Sequence, residues 1–527
     1  MVFVKNELRK RGRSLIDQIL VIRFQRKMAW LFLCSILPLI LIFLLQKTKK
    51  SKKTRGPPGP PGLPFIGNLH QLDSAKPHEY LWKLSKKYGP LMSLRIGSVP
   101  VVVISSSKMA KEALKTHDLV FSGRRAYVSH QKLSYNGRDV AFSPYGEYWR
   151  QMRKVCVLHL FSLSRVQSFS PIIQDEISHL IQKISNLSCA SKVINLSSIM
   201  TSLGSTIICR IAFGKKYDEE GHERKRFDQI LQESQAMMAG FFISDYLPSL
   251  SWIDKLSGMF ARLEKNFKDL DLFYQELIDE HLNPNRPETM KDDVLDILIQ
   301  IKQEQSSGFE LTWDHIKALL MNIFIAGTDT SAATVVWAMT ALMKNPSALK
   351  KVQAEIRDLV GQKGAVVGEK LQQLRYLDAV IKEALRLYPP APVLVARETT
   401  QSCNIEGYEI GSKTLVYIND WAISRDPENW ERPDEFIPER FLNNAIDVRG
   451  NDFEVIPFGA GRRGCPGIHL GLSTVKLALA NLLYSFEWEL PSGIRAEDID
   501  TDVLPGITMH KKNALCILAK EYLHKSS

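Results

Sequence analysis

A long, predominantly hydrophobic segment runs from about Thr312 to Asn345 and is apolar on nearly every face. Its 34 residues predict a helix of about 50 Å at the usual rise per residue. A helix without a polar face belongs in the interior of a large domain. Residues 91–105, in contrast, alternate and are rich in valine, which predicts the strands of a small sheet. Most of the remaining chain has helical spacing, so we predict a mainly α fold with a small β region.

A second hydrophobic segment lies near the N-terminus. Residues 28–45 carry no charge, and their length is close to the ~20 residues that cross a bilayer. Six basic residues follow between Lys47 and Arg55, and by the positive-inside rule they hold the next domain in the cytosol. We therefore predict a single-pass transmembrane signal anchor. A cleaved signal peptide is the alternative, but no small-residue cleavage site precedes the lysines.

The regions beside this anchor complete the predicted organisation. Residues 1–27 form another basic segment whose charge contradicts the orientation signal, so we interpret them as an upstream extension absent from the working protein. A transit peptide is the alternative interpretation. Residues 46–69 are basic and then rich in proline, which predicts a stiff hinge. Residues 70–527 form the predicted globular domain.

The net charge of +12 is confined to the N-terminus. Residues 1–56 hold 14 Lys+Arg against two acidic residues, which leaves 55 residues of each sign in the rest of the chain. The globular part therefore has no basic excess that would attract nucleic acid, and we expect no such partner. The seven cysteines are odd in number and include no C-x-x-C pair, which argues against a disulfide framework.

Cys465 lies in a glycine-rich loop, residues 457–467, just before a further predicted helix. Three glycines give the loop the backbone freedom of a tight turn: Gly459, Gly461 and Gly464. Pro466 suits the first position of the helix, so the sulfur is expected at a helix N-terminus. That position favours the anionic thiolate, which is the form that binds a metal.

The loop allows three other interpretations. An isolated cysteine is commonly a small buried hydrophobic residue. Residues 459–464 also spell the G-x-G-x-x-G of a dinucleotide fold, but fewer than 70 residues remain for the βα units that such a fold requires. A zinc site on Cys465 and His469 would need further Cys or His ligands nearby, and the sequence offers none.

Three further motifs lie in predicted helices. Residues 326–331 bring one glycine and several polar side chains into the long apolar helix, which suggests either a functional site or a kink with hydroxyls bonded to carbonyls. Glu383 and Arg386 lie three residues apart and share a helix face. Trp149 and Arg153 lie one helical turn apart.

Taken together, these motifs resemble those of one family. The loop matches Phe-x-x-Gly-x-Arg-x-Cys-x-Gly, the haem-binding signature of the cytochromes P-450, and the proline hinge and the other three motifs occur in that family's order. The residues that carry the signature are Phe458, Gly461, Arg463, Cys465 and Gly467. The resemblance covers residues 57–527 and is strongest to plant microsomal A-type members of families 71 and 83.

The resemblance implies the fold and the role of each site residue. It implies the cytochrome P-450 fold, with a long central helix over haem b (iron-protoporphyrin IX) and a cysteine-ligand loop, so that residues 70–527 form a haem-thiolate catalytic domain. Cys465 is then the axial ligand of the haem iron, and Thr330 and Asp329 deliver protons. Glu383 and Arg386 become structural, braced by Arg440. The other implied cofactor-binding residues are Phe458, Gly461, Arg463, Gly467, Trp149, Arg153 and Arg397.

The implied function is a membrane-anchored monooxygenase. It would insert one oxygen atom from O2 into a small hydrophobic plant specialised metabolite. Electrons would come from NADPH through the NADPH–cytochrome P-450 reductase, with cytochrome b5 as a further partner. The implied location is the endoplasmic reticulum membrane, with the catalytic domain in the cytosol. The alternatives are a P-450-like protein that catalyses a rearrangement or dehydration, and a non-catalytic haem-binding protein; the intact Asp329–Thr330 pair argues against both.

The resemblance also indicates which segments surround the substrate. These are residues 127–142, 237–243, 393–395 and 507–509, together with Asn322 and Ala326. They are largely apolar, so a hydrophobic substrate is expected.

Overall fold

Helices dominate the part of the chain that the computed structural model describes, residues 56–218, 221–287, 292–304, 309–361, 366 and 368–522. The predicted extension, the predicted anchor and residues 46–55 of the hinge lie outside these described residues. The described helices are α1 (Pro77–Tyr88), α2 (Ser107–Lys111), α3 (Val128–Leu133), α4 (Glu147–Lys154), α5 (Leu163–Ser168), α6 (Ser170–Cys189), α7 (Leu196–Phe213), α8 (His222–Met238), α9 (Ile243–Tyr246), α10 (Ser251–Leu256), α11 (Met259–His281), α12 (Val294–Glu304), α13 (Trp313–Lys344), α14 (Pro346–Val360), α15 (Gly368–Leu371), α16 (Arg375–Leu387), α17 (Asp420–Ile423) and α18 (Ile468–Ser485).

The strands are short and form small sheets. They are β1 (Leu91–Ile96), β2 (Val99–Ile104), β3 (Ile194–Asn195), β4 (Arg397–Glu398), β5 (Cys403–Ile405), β6 (Tyr408–Ile410), β7 (Leu415–Ile418), β8 (Phe486–Glu489), β9 (Val503–Leu504), β10 (His510–Lys511) and β11 (Cys516–Glu521). The four-stranded sheet has the order β1-β2-β7-β4, in which β2 pairs antiparallel with β1 and parallel with β7. β11 lies between β3 and β8, and β5 with β6 and β9 with β10 form two-stranded sheets. The strands predicted within residues 91–105 are confirmed.

The predicted central helix is α13, which begins and ends one residue inside the predicted bounds. Thr312 and His315 cap its N-terminus: the Thr312 hydroxyl accepts a hydrogen bond from the His315 backbone N–H, and the His315 ring accepts one from the Thr312 N–H at 3.0 Å. Most α13 residues are buried and belong to the main hydrophobic core. The helix is therefore the axis on which the other core helices pack.

α7 packs closely against α13 because a glycine lies on each side of the contact. A Cβ atom at Gly204 of α7 would lie 2.4 Å from the backbone oxygen of Thr328. A Cβ atom at Gly327 of α13 would lie 2.5 Å from Cδ1 of Ile208. Any larger side chain at either position would push the two helices apart or displace its neighbour. Both helices are apolar and long enough to cross a membrane, but 67% of each apolar window is buried in the fold, as in the core helices of globular proteins.

The described part of the hinge lies along the free edge of β1. The Ser93 backbone N–H donates to the Pro58 oxygen at 2.8 Å, and the Ser93 hydroxyl donates to the Pro57 oxygen at 2.7 Å. Further along the strand, the Arg95 backbone N–H donates to Oδ1 of Asn68 at 2.8 Å. The proline-rich segment is thus hydrogen-bonded to the domain.

The structure confirms the expected Glu383–Arg386–Arg440 network. Glu383 and Arg386 are fully buried on α16, and the guanidinium donates twice to the carboxylate, at 2.7 and 2.8 Å. Arg440 adds a third bond to Glu383 at 3.1 Å, and Arg386 also donates to the backbone oxygens of Ser424 and Pro433 at 2.7 Å. A buried ion pair with every partner satisfied fixes the segments that lead to the cysteine loop.

Candidate active site

One apolar cavity of about 340 Å³ brings most of the predicted site residues together. α4, α7 and α13 contribute to its wall, together with residues 390–397 and the cysteine loop. The predicted site residues that line it are Trp149, Arg153, Thr330, Arg397, Phe458, Arg463, Cys465 and Gly467. Gly461 and Asp329 are not among the lining residues.

The backbone of the cysteine loop needs glycine at two positions. Gly459 and Gly461 have φ values of 67° and 66°, which side chains rarely adopt. A Cβ at Gly461 would also lie 2.5 Å from the Leu114 backbone oxygen. Glycine at this position therefore lets the loop pack closely against residues 112–116, which follow α2. The turn is fastened by the Cys465 N–H, which donates to the Phe458 oxygen at 2.8 Å.

The cysteine precedes helix α18 by more than the sequence predicts. We expected Pro466 at the first helical position, but α18 begins at Ile468 and Gly467 is its N-cap residue. The cause is the tight turn formed by residues 466–467, which the sequence pattern did not separate from the helix. Cys465 still lies close to the N-terminal end of α18, with the Gly467 backbone N–H directed at its sulfur.

Burial governs the charge of the Cys465 thiol. Burial raises its pKa above the ordinary value, while the Gly467 N–H and the positive charge of Arg153 lower it by less. The exposed surface of Cys465 lies in the wall of the apolar cavity. The N–H group near the helix terminus thus acts in the direction expected from the sequence, but burial has the larger effect on this thiol. A metal cation at the sulfur would supply the missing stabilisation.

Arg153 is a cation of the site that is available to bind an anion. Its guanidinium lines the cavity and has no hydrogen-bond or salt-bridge partner among the described residues. Burial lowers its pKa, and nearby Cys465 acts in the opposite direction. An unpaired, largely buried guanidinium is costly unless an anion joins it, so this position suits an acidic group in the cavity.

Trp149 and Arg463 are less available to bind a cofactor than the sequence suggests. The Trp149 indole N–H donates to the Val140 oxygen at 3.0 Å, so it is satisfied by the protein. Arg463 stacks 4.4 Å from the Trp149 ring and donates to the backbone oxygens of Ser122, Val140 and Ser143, at 2.8, 3.1 and 2.6 Å. These two residues mainly hold the segment before α4 against the cysteine loop.

Arg397 and Arg124 extend the positive end of the cavity. Arg397 donates to the Ala460 oxygen at 2.8 Å and lies 3.7 Å from Asp118, and burial lowers its pKa to about 10. Arg124, which the sequence analysis missed, donates to the backbone oxygens of Ala141, Val395 and Ala396 at 2.8, 2.6 and 2.6 Å. Burial lowers its pKa well below the usual range.

The charges around the cavity fit haem. Four arginines and two buried carboxylates lie around the positive end of the cavity: Arg124, Arg153, Arg397 and Arg463, and Asp118 and Asp139. The excess of positive charge suits the two propionates of haem, and the apolar walls suit its ring. The cavity also presents a thiol, a ligand that soft metals bind. The residues present therefore match the implied cofactor.

Thr330 and Asp329 face different surroundings. Thr330 lines the cavity, and its hydroxyl donates to the Ala326 oxygen at 2.9 Å. Asp329 is turned away, and one of its carboxylate oxygens accepts hydrogen bonds from Gln235 at 2.5 Å and His510 at 3.2 Å. Thr328 donates to the Phe324 oxygen at 2.7 Å, so the hydroxyls in this stretch do bond back to carbonyls. Gly327 is explained by the contact with α7 described above.

The predicted substrate segments reach the cavity only in part. Residues of the 127–142 and 393–395 segments line it, and so do Asn322 and Ala326. The Asn322 side chain is fully used, because it accepts from the Val140 and Ala141 N–H groups at 3.0 and 3.2 Å and donates to Asp139 at 2.8 Å. Burial raises the pKa of Asp139 to about 6. Residues 237–243 and 507–509 do not line the cavity; Met509 packs against Trp337 instead.

Comparison with known proteins identifies the family. Residues 57–518 match the model of the cytochrome P-450 family. The chain is 53% identical to the 6,7,8-trihydroxycoumarin synthase of Pastinaca sativa, over 87% of this chain and 92% of that protein. It is 52% identical to the 5-OH-xanthotoxin synthase of Ammi majus (87% and 91% covered) and 45% identical to the strychnine-11-hydroxylase of Strychnos nux-vomica (86% and 89%).

Solved structures give the same result. A zebra fish cytochrome P-450 determined with abiraterone superposes with a TM-score of 0.71 at 26% identity, covering 85% of this chain and 99% of the other. Members of the family carry haem, receive electrons from NADPH through a reductase and act on hydrophobic substrates. The chain therefore belongs to the cytochrome P-450 family and is a haem-dependent monooxygenase.

Proposed function

We propose that Cys465 is the axial ligand of haem b and that this monooxygenase hydroxylates a flat aromatic lactone of the coumarin class. The observation that carries the proposal is the joint placement of the Cys465 thiol, the Thr330 side chain and the unpartnered Arg153 guanidinium in one apolar cavity. Each of the three serves a different requirement of the cofactor: a ligand, a polar group on α13 and a counter-charge.

The residues would hold haem as follows. Arg153 would bind a propionate, while Arg124, Arg463 and Arg397 would keep the surrounding loops in place through their bonds to backbone oxygens. Phe458 forms part of the apolar wall beside Cys465. When bound, haem supplies the oxygen chemistry, and the cysteine thiolate donates electron density that favours O–O cleavage. Thr330, whose side chain lines the cavity, would take part in the accompanying proton delivery.

The substrate class rests on the cavity and the relatives. The walls above the cysteine are apolar and include Val140, Ile207, Leu319, Ile323 and Leu394. Two relatives that share more than half of their aligned residues with this chain are named for hydroxylated coumarin products. A coumarin is flat and mostly apolar, which suits such a cavity.

A basic surface beside the cysteine loop fits the acidic reductase. Arg150 and Lys154 of α4 are exposed, and Arg462 is half-exposed beside Asp118. Arg153, the third basic residue of α4, faces the cavity instead. We propose this as the reductase docking surface, with cytochrome b5 as a second protein that uses it. Such charges steer an oppositely charged partner and fix its orientation.

The cellular location is part of the same proposal. The uncharged segment 28–45 and the basic residues after it support a single-pass anchor in the endoplasmic reticulum membrane, with the catalytic domain in the cytosol. The neutral catalytic domain supports a protein that does not bind nucleic acid.

The test of the haem ligand uses microsomes from cells that express the chain with a reductase. Cys465→Ser is expected to abolish the thiolate-type ferrous–CO spectrum, whereas Cys516→Ser, at an exposed cysteine, keeps it. If the spectrum survives in Cys465→Ser, Cys465 is not the ligand.

The substrate test compares coumarins and furanocoumarins with strychnine-type alkaloids in the same microsomes. Hydroxylated coumarins formed with NADPH consumption support the proposal. Turnover of alkaloids without turnover of coumarins contradicts the substrate class but leaves the haem site intact.

For the docking surface, Lys154→Glu is expected to slow reduction by the reductase severalfold at low salt. The matched control is Arg495→Glu, at a well-exposed arginine on a different segment. Equal reduction rates in both variants and the wild type contradict the assigned surface.

A further inference from the structure

Asp329 is connected to the outside of the protein by a histidine. Its carboxylate is 11% exposed, and the His510 side chain that contacts it is 31% exposed. His510 Nε2 lies 3.2 Å from Oδ2 of Asp329. The next residue along α13, Thr330, lines the cavity. A titratable ring thus lies at the surface end of a path that ends at the site.

The backbone that carries His510 is fixed independently of its ring. The Met509 N–H donates to the Pro390 oxygen at 2.8 Å, and the Trp337 indole donates to the Met509 oxygen at 2.8 Å. His510 also belongs to the β9–β10 pair, where it lies opposite Leu504. The ring is therefore presented to Asp329 by a strand that does not need the His510–Asp329 bond to stay in place.

The surroundings leave His510 and Asp329 as a pair. Across the β9–β10 pair His510 meets the apolar Leu504, and α8 contributes the uncharged Gln235, which donates to the same Asp329 oxygen. The charged neighbour on its own strand, Lys511, is directed to Asp500 at 2.9 Å. Among the described residues, Asp329 is the charged side chain that contacts the His510 ring.

From these contacts we propose that His510 is a positioning residue that passes protons from solvent to Asp329, an inference that rests on the proposed function of the cavity. An imidazole exchanges protons with water near neutral pH, which suits it to this task. The His510 Nε2–H bond breaks as an O–H bond forms on Asp329, and the ring regains its proton from water. The protonated Asp329 then lies next along α13 to Thr330, whose side chain lines the cavity.

The proton balance requires such a supply. Each monooxygenation converts one dioxygen, two electrons and two protons into one product hydroxyl oxygen and one water, with the electrons coming from NADPH. The cavity is apolar, and its lining arginines are held by backbone oxygens or lie unpaired near the thiol. Hydrogen peroxide, the product when reduced oxygen escapes, also takes up two protons, so a blocked path is expected to slow NADPH consumption and product formation together.

The experiment compares His510→Phe with Gln235→Leu in the full chain with its reductase. Both variants remove one hydrogen bond from the same Asp329 oxygen, but only the first removes a titratable group. His510→Phe is expected to lower the rates of NADPH consumption and product formation about tenfold and to flatten their dependence on pH. Gln235→Leu is expected to keep the wild-type pH profile. Equal effects of both variants, or an unchanged profile in His510→Phe, would overturn the proposal.

A second measurement does not depend on turnover. In protein labelled with ¹⁵N-histidine, the Nε2 signal of His510 is expected to show a protonated, hydrogen-bonded nitrogen that shifts when Asp329→Asn is introduced. An unprotonated Nε2 in the wild type would overturn the proposal. Failure of the proposed function is recognised separately, because the wild type would then show no substrate-dependent NADPH consumption.

Discussion

Replacing Gly204 by alanine is expected to destabilise the contact between α7 and α13, whereas the same change at Gly327 is expected to be tolerated. In the first case the added Cβ meets the Thr328 backbone oxygen at 2.4 Å, and that oxygen belongs to a buried helix. In the second case it meets the terminal methyl of Ile208 at 2.5 Å, which rotation of the side chain can move. The two positions therefore differ in which atoms must move to make room for the added methyl group: backbone atoms at Gly204 and a side chain at Gly327.

The magnitude follows from two opposing effects. Alanine is the better helix former by about 1 kcal/mol, and this gain applies at both sites. Overpacking a buried contact costs about 1 to 3 kcal/mol when the backbone must move, and less when a side chain can rearrange. We therefore expect Gly204→Ala to lower the free energy of unfolding by up to about 2 kcal/mol and Gly327→Ala to change it by about 0.5 kcal/mol or less.

The assay is loss of the ferrous–CO spectrum in increasing urea, measured on the haem-loaded wild type and both variants. A lower midpoint for Gly204→Ala than for Gly327→Ala agrees with the structure. Two variants of equal stability, or a less stable Gly327→Ala, would show that the distances across this helix contact do not control it.

Three further results are expected. Arg153→Leu should lower the haem retained per chain severalfold in a haemochrome assay, whereas Arg150→Leu, at an exposed arginine of the same helix, should not; equal retention would contradict the role of the free guanidinium. Burial raises the pKa of Asp420 from 3.8 to about 7, so the folded protein keeps a proton that the unfolded chain loses, and stability falls as the pH rises through this range. Asp420→Asn should therefore be more stable than the wild type at pH 8 and equally stable near pH 4 in urea titrations, and a constant difference would refute this. Thr330→Val should raise peroxide release while Thr330→Ser stays near the wild type, and identical coupling in both would argue against a role for the hydroxyl.

The features that the sequence predicted well are those with a one-dimensional signature. The apolar run of α13 and the valine-rich stretch 91–105 are local patterns, and the outer bounds that they predict agree with α13 and with the β1–β2 pair to within a residue. The cysteine loop is recognisable because its glycines and its cysteine occupy fixed spacings. Such signals do not depend on which other elements pack nearby.

The features that it did not predict depend on packing. Asp329 and Thr330 are neighbours along α13, but successive helical residues diverge by about 100°, and only the packing of α8 and β10 decides which one meets the cavity. Arg124 lies in a loop without periodicity, so its contact with residues 395–396 has no local signal. The opposing effects on the Cys465 pKa also depend on depth of burial, which a linear motif does not contain.

The proline-rich segment along β1 also protects the sheet from aggregation. β1 is an outer strand, and an outer strand with free N–H and C=O groups is a template for pairing with another molecule. Residues 57–68 occupy those groups, and their prolines, which lack an N–H, cannot recruit a further strand. Shortened versions of this protein that begin after Asn68 would expose that edge, so solubility, more than activity, sets how far the N-terminus can be trimmed.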